Sequence, residues 1–98
     1  MEATQKLKKL LKTPDVIITT GAYDALSAKV IEQAGIPLII TTGFGISASR
    51  IGRPDAELYT MTENLETVKN MTQAVDIPVI ADLDTGYGNA LNVIRTVR

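Results

Sequence analysis

The chain has 98 residues, 45% of them hydrophobic, and a mean hydropathy of +0.12, enough apolar material for one packed core and far from a disordered composition. Ten basic against eleven acidic side chains leave a net charge of -1, which excludes the strong field that draws a protein to nucleic acid or an anionic membrane. Cysteine and histidine are both absent, so disulfides, thiolate nucleophiles, zinc centres and imidazole acid–base chemistry are excluded from this segment.

Residues 1–12 carry Lys6, Lys8, Lys9 and Lys12 around Leu7, Leu10 and Leu11, a spacing that predicts a leading helix with one apolar stripe. Such a helix either covers one end of a domain or lies on a membrane surface. Thr13-Pro14-Asp15 stops it, and the β-branched run at 16–20 predicts a strand buried on both faces. Gly21-Ala22-Tyr23 reads as a turn. Asp24 is placed to cap a helix whose Leu26, Val30, Ile31 and Ala34 share a side, with Gly35 ending it.

Ile36-Pro37 introduces a second apolar strand over 38–42, and Ile77-Pro78 introduces a third over 79–82, so a strand–loop–helix module repeats. The intervening stretch predicts a long polar connection over 43–61, then a helix capped by Thr62 with Leu65, Val68, Met71 and Val75 inward. Asn89 is placed to cap a last helix marked by Leu91, Val93, Ile94 and Val97, still running at Arg98. The longest apolar run, at 36–40, is far too short to span a bilayer, and a cytoplasmic location is the default expectation.

Apolar strands alternating with helices predict right-handed crossovers and a parallel sheet. Three such strands leave an unpaired apolar edge, so residues 1–98 are expected to form the N-terminal part of a single larger domain: the first three β/α units of a (β/α)8 barrel behind a leading helix. A doubly wound open sheet is the alternative.

The chemistry is concentrated at 78–89, an apolar run that ends in two carboxylates and opens into a glycine loop. Strand alternation would put Ile80, Asp82 and Asp84 on one face. Two adjacent carboxylates repel unless a cation, a proton or hydrogen-bond donors neutralise them, and Mg2+, completed by water, is the economical choice. Three other readings stay open. An aspartyl-phosphate phosphatase motif would want Thr one position beyond Thr85; a calcium loop would want further oxygen donors after Asp84; and both acids could simply cap backbone N–H groups. Gly43-Phe44-Gly45 could present backbone N–H groups to an anion. Arg50 and Arg53 could clamp an anionic substrate, Asp55 could add a third acid, and Tyr23 could reach the same mouth.

Three stretches, Gly21-Ala-Tyr-Asp-Ala-Leu-Ser-Ala28, Thr42-Gly-Phe-Gly-Ile-Ser-Ala-Ser49 with Gly52-Arg-Pro-Asp55, and Ala81-Asp-Leu-Asp-Thr-Gly-Tyr-Gly-Asn-Ala-Leu-Asn-Val93, resemble the isocitrate lyase/phosphoenolpyruvate mutase superfamily. The likeness is nearest to its methylisocitrate lyase and phosphonomutase-like branch. It implies a Mg2+-dependent (β/α)8 barrel that cleaves a carbon–carbon bond of a small 2-hydroxy di- or tricarboxylic acid through an enolate. By position, Asp82 and Asp84 match the metal-site acids, Thr42, Gly43 and Phe44 the segment holding the substrate carboxylate, and Asp55 a catalytic acid that organises the site. A homo-oligomeric whole protein with a small carboxylic acid as ligand, and neither nucleic acid nor membrane, is the corresponding expectation.

The chain departs from the superfamily at Leu83, which replaces a small residue, and at Thr42 and Phe44, where lyases often carry Ser and a further glycine. The resemblance places the lyases' catalytic cysteine on a loop beyond Arg98, so the cysteine-free composition does not separate a lyase from a phosphonomutase or an oxaloacetate-type hydrolase. A non-catalytic fragment or interaction module is the alternative of another class.

Overall fold

A computed structural model describes residues 2–98 as a three-stranded parallel sheet with helices on one side. The elements in chain order are α1 (Ala3–Leu11), β1 (Thr20–Ala22), α2 (Ala25–Gln33), β2 (Ile39–Thr41), α3 (Gly43–Ile51), α4 (Met61–Ala74), β3 (Val79–Ile80) and α5 (Ala90–Val97). The leading helix runs as expected, although Met1 lies outside the described residues. It is anchored to the far end of the sheet by Lys6, whose Nζ donates to the Asp76 carbonyl at 2.7 Å. No helix among the described residues is long and apolar enough to cross a membrane.

The strands lie in the order β1-β2-β3, with Thr20, Ile39 and Val79 in register across the sheet. The first strand is displaced from its expected position: residues 16–19 make no ladder, and Gly21 and Ala22 are strand rather than turn. Register explains the shift. Pairing with Ile39, Ile40 and Thr41 begins only at Thr20, and Thr19 reaches the neighbouring chain by its side chain, Oγ1 donating to the Leu38 carbonyl at 2.7 Å.

Burial is one-sided. Ile39, Ala22 and Thr41 pack under the helices with Ala28, Ile31, Ile46, Tyr59, Met71 and Val75. Ile40 and Ile80, on the other face, stay 40% and 38% exposed, where a closed barrel would have its interior.

The helices correct the expected pattern in three places. The polar connection contains α3, because Thr42 accepts the Gly45 N–H at its start and Ile46 and Ser47 give it a buried side. The cap of α4 is Thr60 instead of Thr62, in a reciprocal capping box with Glu63. The inward residues of α4 are Asn64, Thr67 and Met71, while Leu65 is 60% exposed. Polar side chains take that face because they find partners there: Thr67 Oγ1 donates to the Glu63 carbonyl, and Asn64 reaches across to the loop after β3. Likewise α2 buries Ala28 and Ile31 and leaves Leu26 and Val30 outside, and α5 buries none of its apolar residues. The caps at Asp24 and Asn89 form as expected, each as a capping box.

Candidate active site

Beyond the ends of β2 and β3 lies an open cleft of about 390 Å³. Its lining draws on β1 and its approach (Thr19, Thr20, Gly21), the β2–α3 junction (Thr41, Thr42, Gly43, Phe44), the following loop (Asp55) and the loop after β3 (Asp82). Five residues singled out by sequence, Thr42, Gly43, Phe44, Asp55 and Asp82, therefore meet in one place although they span 41 positions of chain.

The start of α3 faces this cleft. Thr42 spends its hydroxyl on the Gly45 N–H, at 3.2 Å, and so shapes the first turn. The first N–H groups of any helix have no acceptor within it, which makes this turn suited to an anion. Gly43 is buried because nothing larger fits comfortably: a Cβ there would sit 3.0 Å from Tyr59 Oη and 3.2 and 3.3 Å from the Asp55 carboxylate oxygens.

Asp82 and Asp84 are not alternate residues of a strand, since β3 ends at Ile80. A side chain continues where the ladder stops: the Asp82 N–H donates to Thr41 Oγ1 at 2.8 Å, and the Asp82 carbonyl accepts from Asn64 Nδ2 at 3.0 Å. The chain then bends so that the Asp84 N–H donates to Asp82 Oδ1 at 2.9 Å, with Asp84 at a positive φ of 46°. The two acids are neighbours through this turn, and they part in direction. Asp82 is exposed in the cleft, whereas Asp84 turns inward and its Oδ2 is buried without a partner.

Burial pushes the Asp84 carboxyl above the usual carboxylate range, the charges of Asp82, Asp55 and Glu57 push the same way, and the Tyr59 hydroxyl pulls against them. Burial, Tyr87 and Asp84 likewise raise the Tyr59 phenol well above its ordinary value. The Tyr87 phenol is pushed up to about 12, by burial first and by Asp84 next. Tyr59, Asn64, Tyr87, Thr41 and Glu57 were not expected at the site. Two of them left a sequence signal: Tyr87 stands inside the Asp82–Asn89 motif, and Asn64 is a polar residue inside the period of an amphipathic helix.

Neither arginine lines the cleft. Arg50 lies across α3 and α4, its guanidinium 2.6 Å from Glu66 Oε2, 3.7 Å from Glu63 Oε2 and 3.2 Å from Thr67 Oγ1. Arg53 is held at its backbone, where its carbonyl accepts from Ser47 Oγ at 2.9 Å. Tyr23 lines a separate groove with Arg50.

Among the described residues no three acidic side chains converge to enclose a metal ion. Two adjacent carboxylates, one open to the cleft and one with an orphaned buried oxygen, instead fit a cation that keeps most of its water and takes further oxygens from a ligand, which is the habit of Mg2+.

Residues 7–98 match the family described as phosphoenolpyruvate phosphomutase. Over all 98 residues the chain is 47% identical to 2,3-dimethylmalate lyase of Eubacterium barkeri, covering 34% of that protein. It superposes on the crystal structure of phosphoenolpyruvate phosphomutase from Streptomyces platensis subsp. rosaceus with a TM-score of 0.93 and 44% identity, over 99% of this chain and 33% of that one. A phosphonopyruvate hydrolase solved with oxalate and Mg2+ gives a TM-score of 0.91 and 40% identity, over 99% and 34%. The chain thus spans about a third of the length of the relatives it matches.

Proposed function

Because this chain belongs to the phosphoenolpyruvate phosphomutase family, within a superfamily of carbon–carbon bond lyases and mutases built on (β/α)8 barrels of which it forms the first three β/α units, we propose that the full-length protein is a Mg2+-dependent lyase. Its substrate would be a small 2-hydroxy di- or tricarboxylic acid, cleaved through an enolate. The observation that carries this reading is the cleft itself: two acids and the start of a helix, brought from three stretches of chain to one mouth at the strand ends.

Breaking the bond beside a hydroxyl-bearing carbon leaves a carbonyl on one product and places negative charge on the carbon next to the other product's carboxylate. Bound Mg2+ would supply the positive charge that stabilises this developing anion. Asp82, which lines the cleft, and Asp84, whose Oδ2 is buried without a partner, would hold the ion directly or through bound water. The first turn of α3, at Gly43 and Phe44, would take a substrate carboxylate on its N–H groups. Asp55, which lines the same cleft, would take the proton that leaves the hydroxyl as the carbonyl forms, and protonation of the enolate carbon would complete the second product.

The 47% identity to 2,3-dimethylmalate lyase favours the lyase reading; the likeness to phosphoenolpyruvate phosphomutase and to phosphonopyruvate hydrolase favours a second one, phosphorus–carbon chemistry at the same site. Incubating the full-length protein and Mg2+ with 2,3-dimethylmalate or with phosphonopyruvate separates them. Release of a 2-oxo acid from the hydroxy acid, stopped by EDTA and by Asp82→Ala, is the expected result. Turnover of phosphonopyruvate alone would establish the second reading, and metal-independent activity would overturn both.

A further inference from the structure

Behind the cleft, three buried polar atoms have no hydrogen-bond partner: Tyr59 Oη, Asn64 Oδ1 and Asp84 Oδ2. A buried group left unpaired costs about 1–3 kcal/mol, so several in one neighbourhood call for an explanation.

Donor directions supply one for two of them, Tyr59 Oη and Asp84 Oδ2. The Asp82 backbone carbonyl can only accept, so the Asn64 atom 3.0 Å from it is the amide nitrogen, and the orientation of that side chain is settled. The same nitrogen lies 2.7 Å from Tyr87 Oη, which must therefore accept there and has its own proton to give elsewhere. The Tyr87 and Tyr59 rings are tilted by 56° with centroids 6.5 Å apart. Tyr59 is 1% exposed, and its hydroxyl sits beside Gly43 and the Asp55 carboxylate, in the field of Asp84.

We propose that Tyr59 is a positioning residue for Asp84: its hydroxyl accepts from Tyr87 and donates to Asp84 Oδ2. A relay running from Asn64 through Tyr87 and Tyr59 then commits one carboxylate oxygen to the protein and leaves the other for a bound cation or its water. The inference rests on the cation site proposed above. A phenol is protonated at neutral pH and so has the proton that the relay requires. Of the acids around it, Asp84 is the one with an orphaned buried oxygen, which makes it the acceptor.

Mg2+ affinity of the full-length protein, measured by titration calorimetry in Tyr59→Phe, Asp84→Ala, the double variant and Asp82→Ala, tests the relay. Tyr59→Phe removes only the hydroxyl and is expected to weaken Mg2+ binding about tenfold, as loss of an outer-shell partner does, with no further loss when added to Asp84→Ala. A hydroxyl with a merely structural role would lower stability to urea and leave the affinity alone. Tyr59→Phe within about twofold of the parent, while Asp82→Ala weakens binding by about tenfold or more, would overturn the relay and spare the cation site. Unchanged affinity in Asp82→Ala as well would remove the cation site and the relay with it. Should Tyr59→Phe not fold, the Mg2+-loaded parent crystal decides: Tyr59 Oη within about 3.0 Å of an Asp84 oxygen supports the relay, and separation beyond about 3.5 Å refutes it.

Discussion

The hydroxyl of Thr41 accepts the backbone N–H of Asp82 at 2.8 Å, joining the last residue of β2 to a loop 41 positions further along the chain. The β2–β3 ladder reaches only Ile40 and Ile80, so this bond holds the loop where the sheet no longer does. Asp82 is thereby fixed at its backbone while its carboxylate stays open to the cleft.

Replacing Thr41, which is 2% exposed, by valine keeps the shape and deletes the acceptor. Leaving the Asp82 N–H without a partner is expected to cost about 1–3 kcal/mol in urea unfolding of the full-length protein. Mg2+ affinity should fall in the same variant, because the loop that carries both acids loses its tether. Full stability would show that the loop is held by its other bonds.

Gly43→Ala sets two effects against each other. Alanine is the better helix former by about 1 kcal/mol, yet its Cβ would press on Tyr59 Oη and both Asp55 oxygens. Net stability should change by no more than about 1 kcal/mol, whereas binding of oxalate, an enolate mimic, in the presence of Mg2+ should weaken clearly. Calorimetry beside a thermal melt separates the two, and unaltered oxalate binding would mean that Asp55 and Tyr59 yield without consequence.

The α4 capping box offers a pH test. Thr60→Ala should cost about 1 kcal/mol. The Thr60 N–H, with smaller help from the Thr60 hydroxyl and Arg50, holds the Glu63 carboxyl below its ordinary value. An acid with a lowered folded-state value adds stability above its unfolded value and loses it as the pH falls through the folded one. Glu63→Gln should therefore be less stable than the parent at neutral pH, with the difference closing below the ordinary glutamate range. Urea unfolding at pH 7 and pH 3 checks this; an equal gap at both would deny the electrostatic share.

Arg50→Met distinguishes a surface tie from a substrate clamp. The arginine is about a third exposed and pairs with Glu66 and Glu63, so its removal should cost no more than about 1 kcal/mol. Oxalate affinity should be unchanged, since the side chain does not line the cleft. A large loss of affinity would return Arg50 to the site.

Much of the fold was legible one residue after another. Asp24 and Asn89 cap their helices through atoms within three positions of themselves, and the alternation of apolar runs with amphipathic ones is a property of adjacent residues. The start of β1 is not legible locally because strand limits depend on the neighbouring strand, and neither is α3, because a helix opening Gly-Phe-Gly looks locally like a turn.

The linear chain alone determined which residue types were available: oxygen donors, glycines and no imidazole or thiol, with the acids, the α3 start and Asp55 already marked. Only the tertiary structure decided how they meet. Asp82 and Asp84 diverge because β3 stops at Ile80 and a turn takes over; Asn64 faces inward because Asp82 and Tyr87 await it there; Tyr59 becomes part of the site because the loop before α4 folds under Gly43. The turn at Asp82 is held from Thr41, 41 positions away, and the other two rest on hydrogen bonds or contacts between residues 16 to 23 positions apart; no local pattern encodes a partner at that distance.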